Sequence, residues 1–147
     1  DVYKRQMVKE HLNENGVMVV NMNMRGNNEG NINQYLSDTI ASVFDHIVTV
    51  DVDGSTNREL YASSNADMVK TLENNANETG HSDLRDMMLH VADTSSVYEA
   101  GDYIMTDDKA PVELLGMQVI DQLIQGEVAY YKDIFEKDGI NGLLESL

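Results

Sequence analysis

The sequence predicts an α/β fold: the last part of an open, mostly parallel sheet that finishes in an antiparallel hairpin and continues into a helical C-terminal extension. Three observations carry this. A continuously apolar run, Val17, Met18, Val19 and Val20, suits a strand covered on both faces of a parallel sheet. A three-turn amphipathic pattern follows it, and then two short β-branched runs stand on either side of an Asp-Gly turn. The rest of the chain carries helical periodicity.

Taken in order, residues 7–12 read as the end of a helix, with Val8 and Leu12 four apart on one face, and Gly16 suits the stop. The strand of residues 17–20 runs on to Asn21 and leads into a polar, glycine-bearing loop, RGNNEG. Ile32, Leu36, Ile40, Val43 and Phe44 then keep helical spacing, which predicts a helix over 31–45. HIVTVDV alternates: Val48, Val50 and Val52 share one side, and Ile47, Thr49 and Asp51 the other. The Asp53-Gly54 turn returns the chain as a second strand, RELYAS, residues 58–63. Helices are expected over 67–77 and over 82–92, the second with Ser82 as N-cap. Residues 95–106 are extended or loop, and a long helix over 111–137 ends at Gly139. The expected organisation is therefore residues 7–64 as the sheet part and 65–147 as the helical extension.

The first six residues, DVYKRQ, are set aside. They are what the codons GAT GTG TAT AAG AGA CAG encode, which resembles the end of a transposon adapter used in sequencing libraries. The expectation is a reading frame cut at that point, with the natural protein continuing upstream.

Composition narrows the function classes. A length of 147 residues gives one domain a core but is short for a two-lobed enzyme. With 41% hydrophobic and 24% charged residues the chain is an ordinary globular one. No cysteine is present, which excludes a disulfide framework, a thiol nucleophile and thiolate metal sites. The four histidines (His11, His46, His81, His90) lack ligand spacing, so no metal is expected. A formal charge of −16 repels phosphate backbones and anionic lipid, so neither nucleic acid nor membrane is an expected partner. No apolar run reaches the roughly 20 residues of a bilayer span, in keeping with a cytoplasmic location.

The candidate site residues follow from position. Asn21 stands at the carboxyl end of a parallel strand, where open α/β sheets bind ligands. Asp107 and Asp108 precede a helix with Pro111 in its first turn; capping the free N–H groups explains them structurally, and a carboxylate pair recognising an amine is the functional alternative. No G-x-G-x-x-G turn occurs, so no cofactor cradle lies within the chain.

The order strand, helix, strand, hairpin strand is how a doubly wound, methyltransferase-like (Rossmann-like) sheet ends, with the last strand tucked between its hairpin partner and the parallel strand before it. GVMVVNMNM and YLSDTIASVFDHIVTVDVDGSTNRELYAS resemble the final strand, helix and hairpin of the spermidine synthase family of aminopropyltransferases. TDDKAPVELL resembles the C-terminal end of bacterial spermidine-synthase-like proteins. The resemblance implies transfer of an aminopropyl group from decarboxylated S-adenosylmethionine to a diamine, with a homo-oligomer possible. The catalytic aspartate and the cofactor-binding residues would lie upstream, so the chain alone would be inactive. The family's polyamine-contacting glutamine corresponds to Asn21, which keeps the amide but is one methylene shorter. A family tyrosine in the hairpin turn corresponds to Asp53. Two alternatives remain open: another S-adenosylmethionine-dependent transferase such as a methyltransferase, and a non-catalytic interaction module.

Overall fold

A computed structural model describes residues 2–22, 29–106 and 112–145. Helix α1 (Val2–His11) is followed by strand β1 (Val17–Met22), helix α2 (Ile32–Ala41), strands β2 (His46–Asp51) and β3 (Arg58–Ser63), helices α3 (Met68–Glu78) and α4 (Ser82–Thr94), the two-residue strand β4 (Ser96–Val97) and helix α5 (Val112–Glu145). By contacts the chain divides into two compact units, 1–110 and 111–147. Helices α3 and α4 therefore belong with the sheet, and only α5 forms the second unit.

The sheet has the order β1-β3-β2-β4, and every pairing is antiparallel. Strand β3 sits between β1 and β2, as expected for the returning hairpin strand, so β1 and β2 run in the same direction without touching. The register follows the alternation of the sequence: Ile47 faces Ala62 and Met18 faces Ala62 from the other side, while Val48 and Val19 both oppose Tyr61. One face of the sheet thus collects Met18, Met22, Ile47, Leu60 and Ala62, which pack with Ile40 of α2, with Phe44 in the turn after it (the helix expected over 31–45 ends at Ala41), and with Val8 of α1 and Leu12 just past its end. Burying such side chains contributes about 1.5–3 kcal/mol each, which makes this layer the core. Helix α1 begins at Val2 and so includes part of the segment set aside from the sequence.

The opposite face corrects one expectation. Strand β1 is not covered on both sides: Val17 is 39% and Val19 53% exposed. Helices α3 and α4 pack over this face but leave an apolar cavity of about 220 Å³ between Val17, Val19 and Tyr61 on the sheet and Met68, Leu72 and Val91 on the helices. A continuous apolar run thus built an edge strand whose second face is only half covered. The cap of α4 is also different: His81 occupies the N-cap position, and Ser82 lies inside the helix with its hydroxyl donating to Asp83 at 3.2 Å.

Helix α2 starts as its sequence dictates. The Asn31 side chain accepts from the Gln34 amide at 3.0 Å, satisfying one of the free donors of the first turn. In the second unit, α5 is interrupted at Gly139, whose φ of 64° and ψ of −156° break the helix where a glycine stop is expected. Only glycine adopts that backbone readily. The helix then resumes and runs to Glu145.

Candidate functional site at the carboxyl end of the sheet

Strands β1 and β2 both end on the side of the sheet where α2 begins. Asn21 is the penultimate residue of β1, exposed and paired with Glu59 of β3. Asp53 sits in the turn beyond β2, held open by Gly54 at φ 66° and by the Asn57 carbonyl accepting from Val52 at 3.0 Å. Its carboxylate is 86% exposed and lies 3.4 Å from His90 Nε2 of α4. With β3 between them, Asn21 and Asp53 stand two strands apart, roughly 10 Å in the pairing direction. They share an end of the sheet but do not meet. Asp107 and Asp108 lie outside the described residues.

The most constrained group around α2 was not among the residues singled out from sequence. Ser37, Asp38, Thr39 and Ile40 are four consecutive residues of α2, all at most 2% exposed. At about 100° per residue, such a run covers most of the helix circumference. One side faces the sheet core; on the other lies the segment that follows β4. Asp38 is the anchor: its carboxylate accepts from the Tyr98 hydroxyl at 2.7 Å, the Gly101 amide at 2.9 Å and the Tyr103 amide at 3.0 Å. A buried carboxylate is tolerated only when its oxygens are satisfied, and three donors do so here. Next to it, the Thr39 hydroxyl accepts from the Met105 amide at 2.8 Å and donates to the Tyr35 carbonyl at 2.6 Å.

These bonds fasten residues 98–105 along α2. Burial and then the hydrogen bond to Asp38 push the Tyr98 phenol well above its usual range, so it stays a neutral donor. Gly101 must be glycine, because a Cβ there would stand 2.7 Å from Asp38 Oδ2. The strap delivers Tyr103 against Tyr35 of α2, with ring centroids 5.0 Å apart in an edge-to-face arrangement. It also brings the Tyr103 hydroxyl within 3.2 Å of the Glu29 carboxylate, and Glu29 raises the Tyr103 phenol. The sequence did hold a signal: Ser-Asp-Thr inside an otherwise apolar helical pattern cannot face water on a helix that is covered on two sides. Its partners, some 60 residues away, were not readable from spacing.

Among the described residues no group of three or more His, Asp or Glu could hold a metal ion, and no helix is long and apolar enough to cross a membrane. The class these elements define is an α/β chain with helices packed on a four-stranded antiparallel sheet.

Comparison with known proteins makes that class more definite. The chain is 45% identical, over 158 aligned residues, to a probable polyamine aminopropyl transferase of Bifidobacterium longum (strain NCC 2705). The match takes in 96% of the chain and 35% of that protein, so the chain spans about a third of the length of the curated relative it matches. The resemblance to the spermidine synthase family read from the sequence is thereby shown: this chain is kin to a portion of a polyamine aminopropyl transferase. No family model matches, and no solved structure matches.

Proposed function

We propose that the chain is the C-terminal segment of a spermidine-synthase-like aminopropyltransferase and forms one wall of its amine site. The observation that carries this reading is the 45% identity along nearly the whole chain, and the strand order supports it. A returning strand inserted antiparallel between two strands of common direction is how a methyltransferase-like sheet ends. The outer edge of β1, the first strand of the sheet order, is where earlier parallel strands would continue it.

In the reaction, the lone pair of a neutral amine nitrogen attacks the aminopropyl carbon bonded to the sulfonium of decarboxylated S-adenosylmethionine. A C–N bond forms as the C–S bond breaks, the thioether nucleoside leaves with the sulfur electron pair, and the new ammonium gives up a proton to a base. Such chemistry is mostly positioning and proton removal. The base and the nucleoside cradle belong to the remainder of the longer protein. This segment contributes polar contacts to the amine: the Asn21 amide and the Asp53 carboxylate at the ends of β1 and β2, with Asp107 and Asp108 as a further acidic pair. The excess of negative charge favours a cationic substrate over an anionic one. A cytoplasmic location goes with this reading.

The test is to recover the reading frame upstream of Met7, express the longer protein, and assay it with decarboxylated S-adenosylmethionine and a diamine. Formation of a longer polyamine together with the thioether nucleoside supports the reading. Methyl transfer from S-adenosylmethionine without aminopropyl transfer refutes it.

A further inference from the structure

We propose that Glu29, Tyr35 and Tyr103 form a corner that binds the ammonium end of a small primary amine; the inference rests on the aminopropyltransferase reading and names residues for its amine. A carboxylate offers about four acceptor positions, and Glu29 uses one on the Tyr103 hydroxyl at 3.2 Å. Among the described residues no lysine or arginine pairs with Glu29; the described lysines and arginines that form ion pairs use Asp45, Asp51, Asp86, Glu136 and Asp133 instead. The Tyr35 and Tyr103 rings, 5.0 Å apart at 62°, add π faces beside that carboxylate. Carboxylate plus aromatic face is the chemistry that recognises a compact ammonium, which has three donors and no acceptor.

The corner is also held in place before any ligand arrives. On the Glu29 side, the Gly30 amide donates to Gln34 Oε1 at 2.7 Å, and Gly30 at φ 71° lets the backbone pass so close that a Cβ would lie 3.3 Å from the Tyr103 ring. On the other side, the Tyr103 amide is fixed to Asp38 at 3.0 Å. Two segments about 74 positions apart in sequence are thus pinned independently to the same helix, with their functional groups turned towards each other. The corner stands at the start of α2, the helix that follows β1 in the chain. A neutral alcohol of the same shape lacks the charge that both the carboxylate and the rings select.

The experiment uses the 147-residue chain and follows the tyrosine ring resonances by NMR during titration with 1,4-diaminobutane, 1-butylamine and 1,4-butanediol. The Tyr35 and Tyr103 rings shift with both amines and stay put with the diol. Glu29→Gln weakens amine binding about tenfold, as expected for loss of a hydrogen bond to a charged partner. Tyr35→Leu weakens it less, and Glu78→Gln, an exposed acid on α3, leaves it unchanged; unaltered far-UV circular dichroism certifies the fold of each variant. Absence of ring shifts, or equal weakening by Glu29→Gln and Glu78→Gln, overturns the corner, since the second result marks general attraction to a chain of charge −16. Either result leaves the family reading intact, because that reading is decided by aminopropyl transfer in the longer protein. Amine binding at the corner without such transfer overturns the family reading alone.

Discussion

Replacing Asp38 tests the anchor that fastens residues 98–105 to α2. Asp38→Asn keeps one acceptor oxygen, which can still serve the Tyr98 hydroxyl and the Gly101 amide, but turns an NH2 group toward the Tyr103 amide. One buried donor then faces another donor and the charge assistance is gone, a loss of about 1–3 kcal/mol. Asp38→Ala removes all three acceptor contacts and leaves a void at a side chain that is 1% exposed. Three hydrogen bonds to a charged group, offset by the desolvation no longer spent on the carboxylate, put this at about 3–5 kcal/mol. Against a total stability of roughly 5–15 kcal/mol, the alanine variant is close to unfolding. Urea unfolding followed by circular dichroism measures both variants, and the asparagine midpoint in a thermal scan should fall by roughly 5 °C. Tyr98→Phe supplies the control, and the double variant Asp38→Asn with Tyr98→Phe should show coupling of about 0.5–3 kcal/mol. The reasoning is refuted if Asp38→Asn unfolds within about 0.5 kcal/mol of the parent, the behaviour of an unremarkable surface position.

Gly101→Ala should destabilise by about 1–3 kcal/mol, because its methyl would press on the held Asp38 carboxylate; a neutral result in the same urea assay would mean that the strap moves aside freely. The Tyr98 phenol, raised in the folded state, contributes stability that is fully present below the unfolded value of about 10 and is lost as pH rises through the folded value. Denaturation curves should therefore weaken above about pH 10, and Tyr98→Phe should flatten that part of the profile. Because Val17 and Val19 leave apolar surface on an edge strand, the 147-residue chain should self-associate, and Val19→Lys should shift it toward monomer in light scattering without altering its circular dichroism. A chain that is already monomeric and unaffected by this substitution would count against the open edge.

The sequence by itself determined the elements and their faces. Period two in HIVTVDV put Ile47 and Val48 on opposite faces of β2, helical spacing placed Ile40 against the sheet, and the Asp-Gly turn brought β3 back beside β2. These signals are local, because the pleat and the helical repeat act within a few residues. Tertiary structure alone decided the rest. The apolar run of β1 could not say whether its second face is covered, since that depends on where α3 and α4 stop. Nor could Asp38 reveal its purpose, because its partners at Tyr98, Gly101 and Tyr103 come from a strap some 60 residues away. A buried charge is intelligible only once its donors are in place, and those donors are brought to it by the packing of the whole unit rather than by any spacing along the chain.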